Sequence, residues 1–199
     1  MTSILLVCTG NVCRSPMAEG FVRAALERRL GDDAPAVSSA GTAGWEGSGA
    51  TPEAVRAARE RGVAIDRHVA RRLQPAYVRD ADLVVAMAGE HRDAIAAAHP
   101  ELADRTFTLK ELVRILEAMP DGEEATASLE ARVAAAADAR RAGVRGNALD
   151  EDVVDPLGMP FEGYRAIAWE LQEWSDRLAE ALVGPAPVPA RPDLGGEGA

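Results

Sequence analysis

Cysteine is nearly absent from this 199-residue chain: Cys8 and Cys13 are the only two, and they share one short stretch. Two such close cysteines cannot build a secreted disulfide framework. They also lack the second pair that a zinc site needs, and the three histidines, at 68, 91 and 99, are scattered. Lysine is rarer still, since Lys110 is the only one and the other 21 of the 22 basic residues are arginine. Against 32 acidic residues this gives a net charge of −10. That balance argues against a general nucleic-acid binder, which shows a basic face, but leaves room for one small positive pocket. Long apolar runs are missing too. Nothing approaches the ~18 uninterrupted apolar residues of a membrane helix. The run Ile4–Val7 is too short for a signal peptide and has no basic segment before it. A cytoplasmic protein without a membrane or nucleic-acid partner is expected.

What is present suffices for a core. With 47% hydrophobic residues, a chain of this length folds as one domain plus appendages without staples. Ser3–Val7 reads as a strand buried on both faces, followed by a polar loop from Cys8 to Ser15 and a helix opening at Pro16. Met17, Phe21, Ala24, Ala25 and Leu26 carry that helix to about Leu30. A second extended segment spans Ala36–Ala40, and Thr51-Pro52 opens a helix that Gly62 ends. Asp82–Met87 and Thr106–Leu109 read as further strands, each followed by a helix. Alternating strands and helices imply an α/β domain around a parallel sheet. Residues 121–147, rich in alanine and charge, read as a solvated helical excursion. A last amphipathic helix uses Tyr164, Ile167, Leu171, Trp174 and Leu178. The domain is therefore expected to span residues 1–183, and the Gly- and Pro-rich residues 184–199 to form a disordered tail.

The loop between the first strand and first helix lies where open α/β sheets bind ligands. It holds Cys8, five intervening residues, Arg14 and Ser15. Such a loop directs backbone N–H groups and the positive end of the helix towards one point, which suits a tetrahedral oxyanion. The cradle would be formed by Thr9, Gly10, Asn11, Val12, Cys13 and Ser15. Arg14 would grip two oxygens of the anion at once. Cys8 would lie beneath it, in surroundings that favour the attacking thiolate, with Ser15 donating a hydrogen bond to that sulfur. The alternative is a small buried cysteine in an ordinary strand-to-helix turn. The loop is neither a dinucleotide fingerprint nor a nucleotide P-loop.

The segments VCTGNVCRSPMAE (7–19), SAGTAGW (39–45), HVARRL (68–73) and VVDPLG (153–158), in this order, resemble the low-molecular-weight protein tyrosine phosphatase family. The resemblance implies a flavodoxin-like, doubly wound four-stranded parallel sheet with helices on both faces. It also implies a cysteinyl-phosphate intermediate on Cys8, a phosphorylated protein as substrate, and neither metal nor cofactor. Asp155 occupies the family's general-acid position. Pro156 holds the residue before it extended, and the neighbouring Asp150, Glu151 and Asp152 crowd Asp155 with like charge, which favours the protonated acid. By the same resemblance Asn11, Ser39 and His68 form a supporting hydrogen-bond network, and Trp45 lines the pocket entrance; core packing is the other reading of Trp45. A Cys8–Cys13 disulfide, formed under peroxide and reversed by thiols, would protect the nucleophile. Alternatively Cys13 is simply a small packed residue.

Three departures bear on substrate. Leu157 and Gly158 stand where eukaryotic relatives carry paired tyrosines. Met87-Ala88-Gly89-Glu90-His91-Arg92 replaces a Met-Asp segment, and the helical excursion before Asp155 is long. Protein arginine phosphatases share the fold and the Asp-Pro-x-Gly ending, but carry threonine where this chain has Val12. An apolar branched side chain there suits an aryl phosphate, so phosphotyrosine is the expected substrate and phosphoarginine the alternative. Arsenate reductase is disfavoured because no further cysteines follow Cys13. A non-catalytic oxyanion-binding module is the reading from a different class.

Overall fold

The computed structural model describes residues 2–119, 128–144 and 151–186. Four strands, β1 (Ser3–Cys8), β2 (Ala36–Gly41), β3 (Leu83–Ala86) and β4 (Thr106–Thr108), form one sheet in the order β2-β1-β3-β4. All three pairings are parallel, with Leu6 opposite both Ser39 and Val85. The helices are α1 (Arg14–Leu30), α2 (Pro52–Glu60), α3 (Pro75–Asp80), α4 (Gly89–Ala98), α5 (Leu109–Ala118), α6 (Leu129–Arg141) and α7 (Phe161–Val183). The order places β1 between β2 and β3. Chain therefore leaves the sheet in opposite directions from the carboxyl ends of β1 and β3, and a crevice opens between them.

Both faces of the sheet are covered, which is why its strands read as unbroken apolar runs. Side chains alternate along β1. Ile4, Leu6 and Cys8 belong to the larger core with α1, α2, α5, α6 and α7, whereas Leu5 and Val7 pack with Val78 of α3 and Ile95 of α4. This is the doubly wound α/β architecture expected from the sequence.

Three local expectations are corrected. Helix α1 starts at Arg14 rather than Pro16, so Pro16 lies within its first turn, where backbone N–H groups have no intrahelical partner to lose. Helix α3, which opens at Pro75, was not anticipated because six residues carry too little periodicity. The described part of the excursion is not a merely solvated helix. Leu129, Val133, Ala136 and Ala137 of α6 are buried in the main core, and Arg140 of the same helix donates to the Thr106 and Ala103 carbonyls. Residues 120–127 and 145–150, and the expected tail from 187 on, lie outside the described residues.

The only lysine is a structural fastener. Lys110, 2% exposed on α5, pairs with Glu170 of α7 at 2.5 Å and donates to the Asp152 carbonyl at 3.0 Å. It thus joins two helices to the loop that precedes α7. Removing the cation strands a largely shielded carboxylate, and breaking such a pair is costly even where its net worth is small. Lys110→Met is expected to lower the free energy of unfolding by about 2–3 kcal/mol, read from urea melts; an unchanged midpoint would show that the pair is dispensable.

Candidate active site

Six successive carbonyls of the loop after β1 are bonded to groups outside the loop's centre. Those of Cys8, Thr9 and Gly10 accept from the N–H groups of Thr42, Ala43 and Trp45 at 2.9, 3.0 and 3.0 Å. The Asn11 carbonyl accepts from His68 Nε2 at 2.8 Å, Val12 from Thr51 N–H at 2.9 Å and Cys13 from Met17 N–H at 3.2 Å. In a trans peptide the N–H points opposite to the C=O across the same plane. Carbonyls drawn outward therefore turn the following N–H groups inward, over Cys8. The Asn11 N–H makes this visible, donating to Cys8 Sγ at 3.3 Å.

The segments quoted above for their resemblance supply this scaffold. Residues 42–45 follow β2 and run beside the loop. Gly41 must be glycine, since a Cβ there would collide with the Thr9 carbonyl oxygen, and a Cβ on Gly44 would collide with the Arg71 carbonyl. Residues 68–73 form a strap: the Gly41 N–H donates to Arg71 O at 3.0 Å and the Leu73 N–H to Gly41 O at 2.7 Å.

Asn11 organises the interior. Its φ of 55° lies in the left-handed region, which asparagine tolerates better than most residues. Its Oδ1 accepts from the Arg71 N–H at 2.9 Å, which fixes the other amide atom as the donor. Nδ2 then donates to Ser15 Oγ at 2.9 Å and to Ser39 Oγ at 2.8 Å. Each serine keeps one hydroxyl proton to give. Ser15 Oγ lies 2.9 Å from Cys8 Sγ, in place to donate to the sulfur as a thiolate, and Ser39 donates to Glu19 Oε2 at 2.6 Å. Glu19 is thus the far end of a hydrogen-bonded line from carboxylate to sulfur. Sequence reasoning missed it as a functional residue, although the segment VCTGNVCRSPMAE ends on it.

Arg14, 4% exposed at the first position of α1, lies beside the cradle. Its Nη1 donates to the Val153 carbonyl at 3.2 Å, and its Nη2 to Thr9 Oγ1 at 3.2 Å and Asp155 Oδ2 at 2.6 Å. The loop bearing Asp155 is fixed from several sides. The Asp152 carboxylate accepts from Gly89 N–H at 2.7 Å, the Val153 N–H donates to Met87 O at 2.8 Å, and Asp155 Oδ1 accepts from Leu157 N–H at 3.1 Å. The like-charge crowding expected around Asp155 is not what surrounds it. Asp152 is turned to Gly89, Glu151 lies 3.6 Å from Arg92, and the charged partner of Asp155 is Arg14. Asp150 lies outside the described residues.

Cys8, Thr9, Gly10, Val12, Cys13, Arg14, Trp45, Asp155 and Leu157 line one cleft of about 170 Å³. Trp45 is 50% exposed, which suits a place at the rim and not in the core. Helix α6 contributes none of these lining residues. Cys13 Sγ faces Thr51 Oγ1 at 3.5 Å and Tyr164 Oη at 4.0 Å, and burial pushes its thiol up, so it is held protonated. Both cysteines are free thiols.

Sequence reasoning also missed His91, which it noted only within a divergent segment. It is 2% exposed on α4, and its Nε2 lies 2.9 Å from Thr9 Oγ1. Burial, then the nearby Arg14 charge, lower its pKa below the ordinary 6.5, outweighing Glu90, Asp152 and Asp155.

A thiol under converging amides, with a guanidinium and a carboxyl at its rim on a doubly wound sheet, defines a cysteine-dependent phosphatase. Comparison with known proteins gives the family. The profile of the low molecular weight phosphotyrosine protein phosphatases matches residues 3–121, and the chain belongs to that family. It is 35% identical over 179 residues to a protein-arginine-phosphatase of Geobacillus stearothermophilus, covering 90% of this chain and 95% of that one. It is 39% identical over 112 residues to a probable low molecular weight protein-tyrosine-phosphatase, EpsP, of Ralstonia solanacearum, covering 55% of this chain and 72% of the relative. Among solved structures, a low molecular weight protein tyrosine phosphatase from T. tengcongensis superimposes with a TM-score of 0.69 at 37% identity. That match covers 92% of this chain and all of the other. A mutant of YwlE from Bacillus subtilis gives 0.67 at 32% identity, covering 92% and 99%.

Two outcomes test the geometry. Asn11→Ala leaves Ser15, Ser39 and the Arg71 N–H short of partners and puts a less tolerant residue at positive φ. It should cost about 3 kcal/mol in urea unfolding, and retention of wild-type stability would contradict the role given to Asn11. For His91, a depressed folded pKa means its contribution is complete above 6.5 and is lost as pH falls. Thermal melts of wild type should therefore decline below pH 6.5 more steeply than those of His91→Gln; parallel curves would refute this.

Proposed function

We propose that the chain hydrolyses phosphotyrosine on proteins in two steps, with Cys8 as nucleophile, Arg14 as phosphoryl grip and Asp155 as general acid and then base. The observation that carries this reading is the outward bonding of the loop carbonyls, which aims amide N–H groups at a point above Cys8 Sγ. A phosphoryl group seated there would have its oxygens met by donors that need no reorganisation. Arg14 Nη2 is the contested atom. A phosphoryl oxygen drawing the guanidinium inward competes with Asp155, and frees its carboxyl for the leaving oxygen. Cys8 sulfur then forms a bond to phosphorus as the ester oxygen departs with a proton that the released Asp155 carboxylate has taken up from solvent. In the second step Asp155 takes a proton from water, whose oxygen attacks phosphorus and expels the sulfur. Ser15, whose hydroxyl lies 2.9 Å from that sulfur, eases its departure as thiolate by donating to it.

The cleft supports an aryl substrate. Trp45 and Leu157 are half-exposed apolar walls, and Val12 gives the inner rim an apolar branched side chain where a hydroxyl would favour attack on phosphoarginine. The phosphoarginine reading draws on a different observation, the end-to-end similarity to protein-arginine-phosphatases. Among the described residues no helix is long and apolar enough to cross a membrane.

Side-by-side turnover of a phosphotyrosine and a phosphoarginine peptide separates the readings. Wild type should prefer phosphotyrosine by at least about ten-fold in kcat/KM, a difference of about 1.4 kcal/mol; the reverse preference would overturn the substrate assignment but not the mechanism. Cys8→Ser should abolish turnover yet retain phosphate binding, whereas Arg14→Ala should lose both. Asp155→Asn should slow an alkyl-like or tyrosyl ester by about 10²–10³-fold and a p-nitrophenyl ester by much less. Equal rates for wild type and Asp155→Asn on every ester would show that the acid lies elsewhere.

A further inference from the structure

We infer that His91 is a positioning residue for phosphoryl binding, setting the orientation of Arg14 through the Thr9 hydroxyl. The inference rests on the cradle reading above and extends it to a residue outside the loop. Thr9 Oγ1 accepts from Arg14 Nη2 at 3.2 Å, because a guanidinium can only donate. The hydroxyl's single proton is then free for His91 Nε2, 2.9 Å away. In this arrangement Nε2 is the acceptor and the imidazole is neutral with its proton on Nδ1. Nε2 also lies 3.4 Å from Glu90 Oε1, and Nδ1 has no hydrogen-bond partner among the described residues, so the 2.9 Å contact with Thr9 is the ring's one short hydrogen bond. The line therefore runs from α4 through Thr9 to the guanidinium. It ties Nη2 to the cradle through Thr9, while the same nitrogen is also held by Asp155.

Protonation reverses the polarity of that line. A charged His91 presents Nε2–H to an oxygen that already receives the Arg14 N–H, so the Thr9 hydroxyl proton must turn away. It also sets a second positive charge beside Arg14 in a buried site. The charged groups facing the ring are Arg14 on α1, Glu90 on α4, and Asp152 and Asp155 on the loop before α7. The carboxylates favour protonation, but burial and Arg14 outweigh them, so the ring stays neutral until pH falls below 6.5. The grip on phosphoryl oxygens should weaken in that range for a reason separate from the ionisation of the phosphate itself.

The experiment uses inorganic phosphate as a competitive inhibitor of p-nitrophenyl phosphate hydrolysis by the full chain. His91→Leu is expected to raise the phosphate inhibition constant about ten-fold at pH 7, the scale of one hydrogen bond to a charged group. Thr9→Val should do the same, and the double variant should be no worse than either alone, because both cut one line. Additive losses, or an unchanged inhibition constant in His91→Leu, would overturn the inference and leave His91 as packing. His91→Gln keeps an acceptor for the Thr9 hydroxyl but does not titrate. It should restore most of the affinity at pH 7, and its inhibition constant relative to wild type should fall as the pH drops from 7 to 5. Phosphate ionisation and the other two histidines cancel in that ratio. A pH-independent ratio would overturn the inference even if His91→Leu failed to fold. Arg14→Ala in the same assay keeps the two readings apart: unchanged phosphate inhibition in that variant would overturn the cradle itself, and the role of His91 with it.

Discussion

The planarity of the peptide bond is the constraint on which the site depends. Between Cys8 and Cys13 each carbonyl is committed to a group outside the loop, so each following N–H has one direction left, inward. The backbone supplies donors at the centre of the cradle, the start of α1 adds to them, and Arg14 brings a full positive charge to its side. This explains how a chain with a net charge of −10 can present an anion site at all. The field is local, made of these dipoles and the Arg14 guanidinium, so the global charge neither creates nor abolishes it.

Such a loop is costly to hold, because it places Asn11 at positive φ and buries polar groups. The cost is offset by groups that serve several partners at once, although Arg14 Nε and His91 Nδ1 have none among the described residues. Asn11 joins loop, strap and two serines, while Ser39 passes the connection to Glu19. On the opposite side Arg14 joins the loop to the Val153 carbonyl and to Asp155, and Thr9 joins Arg14 to His91. A half-satisfied network of this kind would be worse than an apolar one. The segments that look unrelated along the chain, at 39–45, 68–73 and 153–158, are therefore one device in three dimensions.

Much of this was legible in the sequence. Unbroken apolar runs gave the buried strands, and the spacing of Cys8, Arg14 and Ser15 pointed to the loop on which the structure brings the three together. The Asp-Pro pair and the family resemblance together singled out Asp155, which the structure sets against Arg14. What escaped was set by contacts between distant segments. Glu19 lies on an ordinary helical turn and becomes part of the site only through Ser39, across the β1–β2 pairing. His91 faces Thr9 only because β3 lies beside β1. The burial of α6 was present as the spacing of Leu129, Val133, Ala136 and Ala137, but alanine and charge in the surrounding residues masked it.

The central claim is that the converging amides serve phosphoryl transfer to Cys8. Its most direct test is intact-protein and peptide mass spectrometry after acid quench of Asp155→Ala during turnover of p-nitrophenyl phosphate, where loss of the base should let the intermediate accumulate. The account predicts one added phosphoryl group, on the peptide containing Cys8 and absent in Cys8→Ser. Continued turnover with no labelled enzyme, or the label on Ser15 or Cys13, would contradict it.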